Sequence, residues 1–298
     1  MKFKEFLSIK IEPHNFISQN NIIKHCDFLF HSSYFSEEKY GPFGITADTK
    51  IIREAPRRDS VIMARFKDGE ILKLIESCRK NFRYKYVIVQ TLIGDDGFLT
   101  DDTVKDLPEN IVQIFSKNAY FSDPKLTAIP IGRDWRNVTE NLDETYTKKE
   151  KTKEINLAYL NFSISTNQLS RAYVYNKFFN KPWVTSKLPE TYGKYDINHS
   201  QYIREMHRHK FVFSPVGKAM DCYRTWDAFY AKCIPIIEAN VHTLNWRNLP
   251  VVFTDDWTEI DKDYLLDKYQ KILNKEIDWK LMTAEFWAKK INKCIKNN

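Results

Sequence analysis

Apolar positions fall in short blocks along this chain, and the spacing inside each block separates strands from helices. Cys26 to His31 and Ser60 to Arg65 are compact apolar runs of strand length. Gly69 to Lys80 places Ile71, Leu72, Leu74 and Ile75 at helical spacing. Tyr86 to Thr91 is apolar almost throughout, the pattern of a strand covered on both faces. Ile111 to Ser116 and Leu126 to Pro130 repeat the strand pattern. Strand–helix alternation of this kind predicts a parallel sheet.

Thr139 to Glu154 interrupts the rhythm, being polar, charged and nearly free of large aliphatics, and reads as an interdomain linker. The rhythm then restarts. Strands are predicted at Ile155 to Leu160, Phe211 to Phe213, Ile234 to Ile237 and Val251 to Thr254. Helices are predicted at Asn167 to Phe179 (starting near Ser170), Tyr202 to His209, Asp221 to Ala231, Asp261 to Asn274 and Met282 to Lys293. The expected architecture is α/β, two Rossmann-like domains over residues 1–140 and 155–298, facing each other across a cleft.

Composition narrows the class. The 298 residues suit two domains, and 43% hydrophobic with 14% aromatic residues can fill two cores. A charged fraction of 29% fits a soluble chain and excludes the disordered class. No apolar run approaches the roughly 18 residues of a membrane span, and Met1 to Lys10 lacks the apolar centre of a signal peptide. The expected compartment is therefore the cytoplasm. Five scattered cysteines without a CxxC pair point to reduced thiols and not to zinc. A net charge of +7 favours anionic partners: phosphorylated small molecules, a membrane surface touched peripherally, or nucleic acid. The basic residues are spread out, apart from Lys148 to Lys153 and Lys289 to Lys296, and no nucleic-acid-binding motif is present. Nucleic acid is not expected.

The chemistry concentrates in His209 to Glu238. An apolar strand runs into Ser214-Pro215-Val216-Gly217, a turn, and then into a helix. A turn at the carboxyl end of a parallel strand is where open α/β sheets bind ligands. Helix N-terminal amides attract phosphate, and Gly217 would let the backbone approach a pyrophosphate. Arg224 could grip phosphate oxygens bidentately. Asp227, three residues on along the same helix face, could accept from ribose hydroxyls. The plain alternative is an ordinary strand–turn–helix with an exposed Arg–Asp pair.

This segment resembles the donor-binding signature of exostosin-like glycosyltransferases, SPRGNGxDCxRTWEAxxxGCIPI. Ser214, Pro215, Gly217, Asp221, Cys222, Arg224, Thr225, Trp226, Ala228, Cys233, Ile234, Pro235 and Ile236 match it in register. Asn248 to Trp257, Asn161 to Arg171 and Asn118 to Gly132 are similar to further elements of that family. The resemblance covers roughly Tyr86 to Trp257. It departs at Val216, Lys218 and Ala219, where the family has Arg, Asn and Gly, at Asp227, where it has Glu, and at Lys232, where it has Gly. It implies a GT-B-like fold and transfer of a sugar from a nucleotide-diphosphate sugar to a glycan or glycolipid. Asp227 would then hold the donor ribose, with Ser214, Gly217 and Thr225 building the donor turn.

Such transfer needs charge stabilisation for the departing diphosphate and, if inverting, a base at the acceptor hydroxyl. Arg171, Lys218 and Arg224 are candidates for the first task. Asp96 and Asp95, in a turn after a buried strand, are candidates for the second, and the resemblance aligns an acidic loop near them. Adjacent rather than spaced acidic pairs predict no metal site, no cofactor and metal-independent transfer. Ser60 to Glu70 also resembles the RFGDGE motif of another bacterial glycosyltransferase family, which would give weight to Arg65, Asp68 and Glu70, with Asp68 a reserve base. His207 and His209 read as surface helix residues. Two rival readings are a non-catalytic nucleotide- or nucleic-acid-binding protein and a silent subunit of a glycan-synthesising complex.

Overall fold

The computed structural model describes residues 1–31, 50–64, 69–90, 99–134, 146, 156–187 and 197–296. They form two compact units, each around its own parallel sheet. One comprises His14–Ile131 with Thr283–Asn298, the other Met1–Pro13 with Gly132–Met282. The sequence suggested a division into two continuous segments, but the structure exchanges the chain ends. The reason is local pairing: Lys2 bridges Glu276 in one unit, and Phe16 bridges Thr283 in the other.

Among the described residues, nine helices and eleven strands are named in chain order. The helices are α1 (Phe3–Phe6), α2 (Gln19–Ile23), α3 (Glu70–Lys80), α4 (Asp101–Lys105), α5 (Gln168–Phe178), α6 (His199–His207), α7 (Tyr223–Tyr230), α8 (Lys262–Asn274) and α9 (Ala284–Lys296). The strands are β1 (Phe28–Phe30), β2 (Ile51–Ile52), β3 (Ser60–Ala64), β4 (Tyr86–Gln90), β5 (Ile111–Ser116), β6 (Leu126–Ala128), β7 (Asn156–Asn161), β8 (Val184–Lys187), β9 (His209–Phe213), β10 (Ile234–Glu238) and β11 (Val252–Thr254).

The first sheet has the order β2-β1-β3-β4-β5-β6, with every pairing parallel. Its centre is sealed, since β3 and β4 are buried along their whole length. That is why these strands read as continuous apolar runs. Helix α3 turns Ile71, Leu74, Ile75 and Cys78 inward and leaves Leu72 exposed, as an amphipathic helix over a sheet must. Helix α9 buries Trp287, Ala288 and Ile291 and packs on β3, β4 and β5.

The second sheet has the order β11-β10-β9-β7-β8, again parallel throughout. Three of its helices start where side chains satisfy their first amides. Asn167 caps α5 and Asp261 caps α8, while Asn198 and Gln201 close a reciprocal capping box on α6. That box draws α6 back to His199, earlier than apolar spacing placed it. Strand β8 escapes sequence reading because it is a half-buried edge with a polar run, Val184 to Lys187.

Helix α7 ends in a Schellman motif: the Lys232 amide donates to Phe229 and the Cys233 amide to Ala228. The motif forces Lys232 to φ +63°, left-handed backbone that favours glycine. This accounts for the glycine that the exostosin-like signature carries there. Lys232 keeps a compensation, its ammonium lying 3.6 Å from the Phe6 ring centroid. Replacing Lys232 by Ala keeps the strain and removes the ammonium, and should lower unfolding free energy by roughly 0.5–1 kcal/mol. Lys232→Gly also relieves the left-handed backbone, by about 1 kcal/mol, so it should match or exceed the wild type in chemical denaturation. A glycine variant less stable than the alanine variant would overturn this account.

Candidate functional site

In the second sheet the chain leaves β7 for β8 on one side and then enters β9 on the other. Such a reversal opens a crevice at the carboxyl ends of the two central strands. Asn161 ends β7 and Phe162 follows; Phe213 ends β9 and the turn Ser214 to Gly217 follows. Glu238 ends the neighbouring strand β10. The turn Ser214 to Gly217 therefore lies at the topological switch point.

Arg171, in the first turn of α5, is buried with 5% of its surface exposed. Its donors go to the chain itself. Nε donates to the Val216 carbonyl at 2.9 Å, Nη1 to the Ser163 carbonyl at 2.9 Å and to Thr166 Oγ1, and Nη2 to the Pro215 carbonyl at 3.2 Å. Burial pulls its pKa down to about 10. Arg171 thus splints the turn after β9 to the segment after β7, and its donors are already committed to protein acceptors. Gly217 is explained by the same splint. A Cβ on it would lie 2.7 Å from Arg171 Nη2, and the guanidinium has no room to yield. Close approach to Arg171 by itself disfavours a side chain here.

Arg224 differs. It sits in the first turn of α7, half-buried, with Nε donating to the Asn161 carbonyl at 2.7 Å. Its guanidinium carbon lies 5.3 Å from the Phe162 ring centroid, and the Tyr202 hydroxyl is beside it. Nη1 is buried and meets no acceptor among the described residues. A buried donor of this kind is costly until an acceptor arrives. Ser214 and Thr225 are buried and share a hydrogen bond of 2.9 Å between their hydroxyls, joining the turn to α7. Lys218 is exposed at the end of the turn.

Other signature positions are structural. Asp221 is buried and accepts from Trp226 Nε1 at 2.7 Å and from the Cys222 amide at 2.8 Å. The Cys233 thiol donates to the Met206 carbonyl at 2.9 Å. Asp227 is buried, 4% exposed, and its Oδ1 accepts from the Tyr146 hydroxyl at 2.6 Å. Tyr146 also lies 2.8 Å from His199 Nε2, and Arg133 covers its ring at 4.7 Å. The expected ribose acceptor therefore points into a protein network, because α7 turns this face toward the core and not outward. His207 and His209, read from sequence as surface residues, are buried too. His209 begins β9, stacks on Tyr159 and lies 2.8 Å from Thr185 Oγ1.

Asp95, Asp96, Arg65 and Asp68 lie outside the described residues. Glu70 opens α3, and its Oε1 is 3.7 Å from His31 Nδ1, both side chains buried. Among the described residues no group of three or more His, Cys, Asp or Glu could hold a metal, and no helix is long and apolar enough to cross a membrane. Sequence reasoning passed over Glu238, Tyr146, His199 and Tyr202. Only the position of Glu238, directly after an apolar strand, carried a signal.

Burial raises the Asp227 carboxyl above its ordinary value of 3.8, against the opposing pull of His199, Tyr146 and Arg133. The folded chain then holds this proton more tightly than the unfolded chain does. Stability from this group is complete below the ordinary value and falls as pH rises through the raised one. Asp227→Asn, which keeps an oxygen for Tyr146, should flatten the fall in Tm as pH rises above the ordinary carboxylate value. An unchanged slope would place the effect elsewhere.

The crystal structure of an α1,3-fucosyltransferase overlays with a TM-score of 0.51 at 12% identity, covering 91% of this chain and 90% of that one. Two parallel α/β sheets and this overlay establish the GT-B glycosyltransferase type of fold. A GtfA/B complex overlaps at a TM-score of 0.42 and 7% identity, over 79% of this chain and 57% of that one, below the level that has weight. Among curated proteins none matches the chain in sequence. The family model of the RXYLT1 C-terminal domain matches residues 133–298, more than half the chain and the whole switch-point region, and the chain belongs to that family.

Proposed function

We propose that this chain is a glycosyltransferase that takes a sugar from a nucleotide-diphosphate sugar and passes it to a glycan or glycolipid hydroxyl. The observation that carries the reading is Arg224: a guanidinium at the switch point of a parallel sheet, with one buried donor unmatched among the described residues. A diphosphate oxygen is the acceptor that such a group fits. The turn Ser214 to Gly217 lies beside it, held in shape by Arg171 and Thr225. Lys218, exposed on that turn, supplies a second cation for the leaving group. The xylosyltransferase-like family and the likeness to the exostosin-like donor signature support the same reading.

In this reading the sugar's anomeric carbon is attacked by the acceptor oxygen as the bond to the diphosphate breaks. Arg224 and Lys218 take up the charge that the diphosphate gains, so no metal is invoked. Inversion calls for a carboxylate to take the acceptor proton, and Asp96, with Asp95 beside it, is the proposed base.

Arg224→Ala should weaken nucleoside-diphosphate binding by a few kcal/mol, the scale of a charge-assisted contact. It should leave Tm nearly unchanged in the same preparation. Titration calorimetry paired with thermal melting separates the cases, and intact affinity with a collapsed Tm would make Arg224 structural.

A hydrolysis screen of nucleotide sugars, run with and without chelator, should find one donor that is slowly cleaved in both conditions. On that donor, Asp96→Asn or Asp95→Asn should lower kcat by roughly 10²–10⁴-fold with donor affinity retained. Two variants of undiminished kcat would remove both residues from the chemistry.

A further inference from the structure

Asp227 is committed to Tyr146, yet the same end of the second sheet carries another carboxylate. Glu238 is the last residue of β10, in register with Thr254 of β11 and one strand from the turn after β9. One of its oxygens is pinned from two elements. Oε1 accepts from Ser170 Oγ of α5 at 2.6 Å and from the indole Nε1 of buried Trp257 at 3.0 Å. Oε2 receives no hydrogen bond from any described residue and is not sealed in the interior. The residue is half-buried and near enough to Arg171 for their charges to interact.

A residue needed only to tie Ser170 to Trp257 requires one acceptor oxygen, which an amide side chain would supply without a charge. A carboxylate held in a fixed plane, with its second oxygen directed away from the protein's own donors, suits a ligand that brings hydroxyl donors. It repels phosphate. The ligand group it fits is neutral and hydroxyl-rich, at the same end of the sheet as Arg224, with Arg171 close enough to both for their charges to interact. We propose that Glu238, and not Asp227, accepts from the ribose hydroxyls of the donor nucleotide. This rests on the nucleotide-sugar reading and adds to it the residue that distinguishes a ribonucleotide from its deoxy forms.

The test is calorimetry with UDP, GDP, CDP and ADP, each against its 2′-deoxy and 2′,3′-dideoxy forms. The wild type should prefer one ribonucleotide over its dideoxy form by roughly tenfold or more, since a site built for a hydroxyl is left unpaired without it. Glu238→Gln keeps an oxygen for Ser170 and Trp257. It should shrink that ratio to below about threefold, with dideoxy affinity and Tm unchanged. Asp227→Asn should keep the ratio. A glutamine variant that retains the preference, or weakens both forms equally, would overturn the role of Glu238 and leave the nucleotide reading standing. So would a wild type indifferent to the hydroxyls, or a preference erased by Asp227→Asn. A wild type that binds none of the panel overturns the nucleotide reading and this inference together.

Discussion

A guanidinium removed from water needs acceptors for its donors, and Arg171 obtains most of them from backbone carbonyls. The carbonyls of Ser163, Pro215 and Val216 all turn toward it, and Thr166 adds a hydroxyl. Two loops that leave adjacent strands, β7 and β9, are tied together by this side chain, with Asn167 Nδ2 donating to the Gly217 carbonyl beside it. A lysine could not replace it, because its compact ammonium lacks the planar fork that reaches four acceptors at fixed angles. The same packing closes the space at Gly217 to any larger residue. The shape of the crevice at the switch point follows from this constraint.

Around that splint, four charged groups are sorted by how far the protein satisfies them. Arg171 is saturated, and its charge serves the fold. Asp227 is sequestered by Tyr146 in a network that includes His199 and Arg133. Arg224 is only partly engaged, with Nε on Asn161 and Nη1 unmatched among the described residues. Glu238 is engaged through one oxygen. Polar groups left incomplete in a half-buried position are the ones a ligand can complete. Function is read here from unfinished hydrogen bonding and not from charge alone.

The signature that drew attention to His209 to Glu238 mixes two kinds of residue. Asp221, Trp226 and Cys233 are spent on interior hydrogen bonds that fix α7 and its flanking strands. The departure at Lys232 falls where the backbone is left-handed, and the cation–π contact with Phe6 accompanies the loss of glycine. A motif of this type reports a folded shape as much as a chemical site.

The strands were legible in the sequence because burial on both faces leaves an uninterrupted apolar run, as in Tyr86 to Gln90 and His209 to Phe213. Helices with a strong apolar stripe, such as α3, were legible for the same reason, and so was the turn at Ser214. Edge strands β2 and β8 were not, since a half-solvated strand needs no such run. Nor did the sequence show that the chain ends change units, a matter of bridges between residues more than 250 apart, Lys2 with Glu276 and Phe16 with Thr283. The roles of individual charges were hidden most completely. Spacing set Arg224 and Asp227 on one helix, and their residue types alone made both look like ligand contacts. Whether each faces a crevice or a core depends on which carbonyl or hydroxyl the tertiary structure brings to it. Sequence determined where the candidate site lies, because a parallel strand must end in a turn; only packing decided which of its side chains remain open to a ligand.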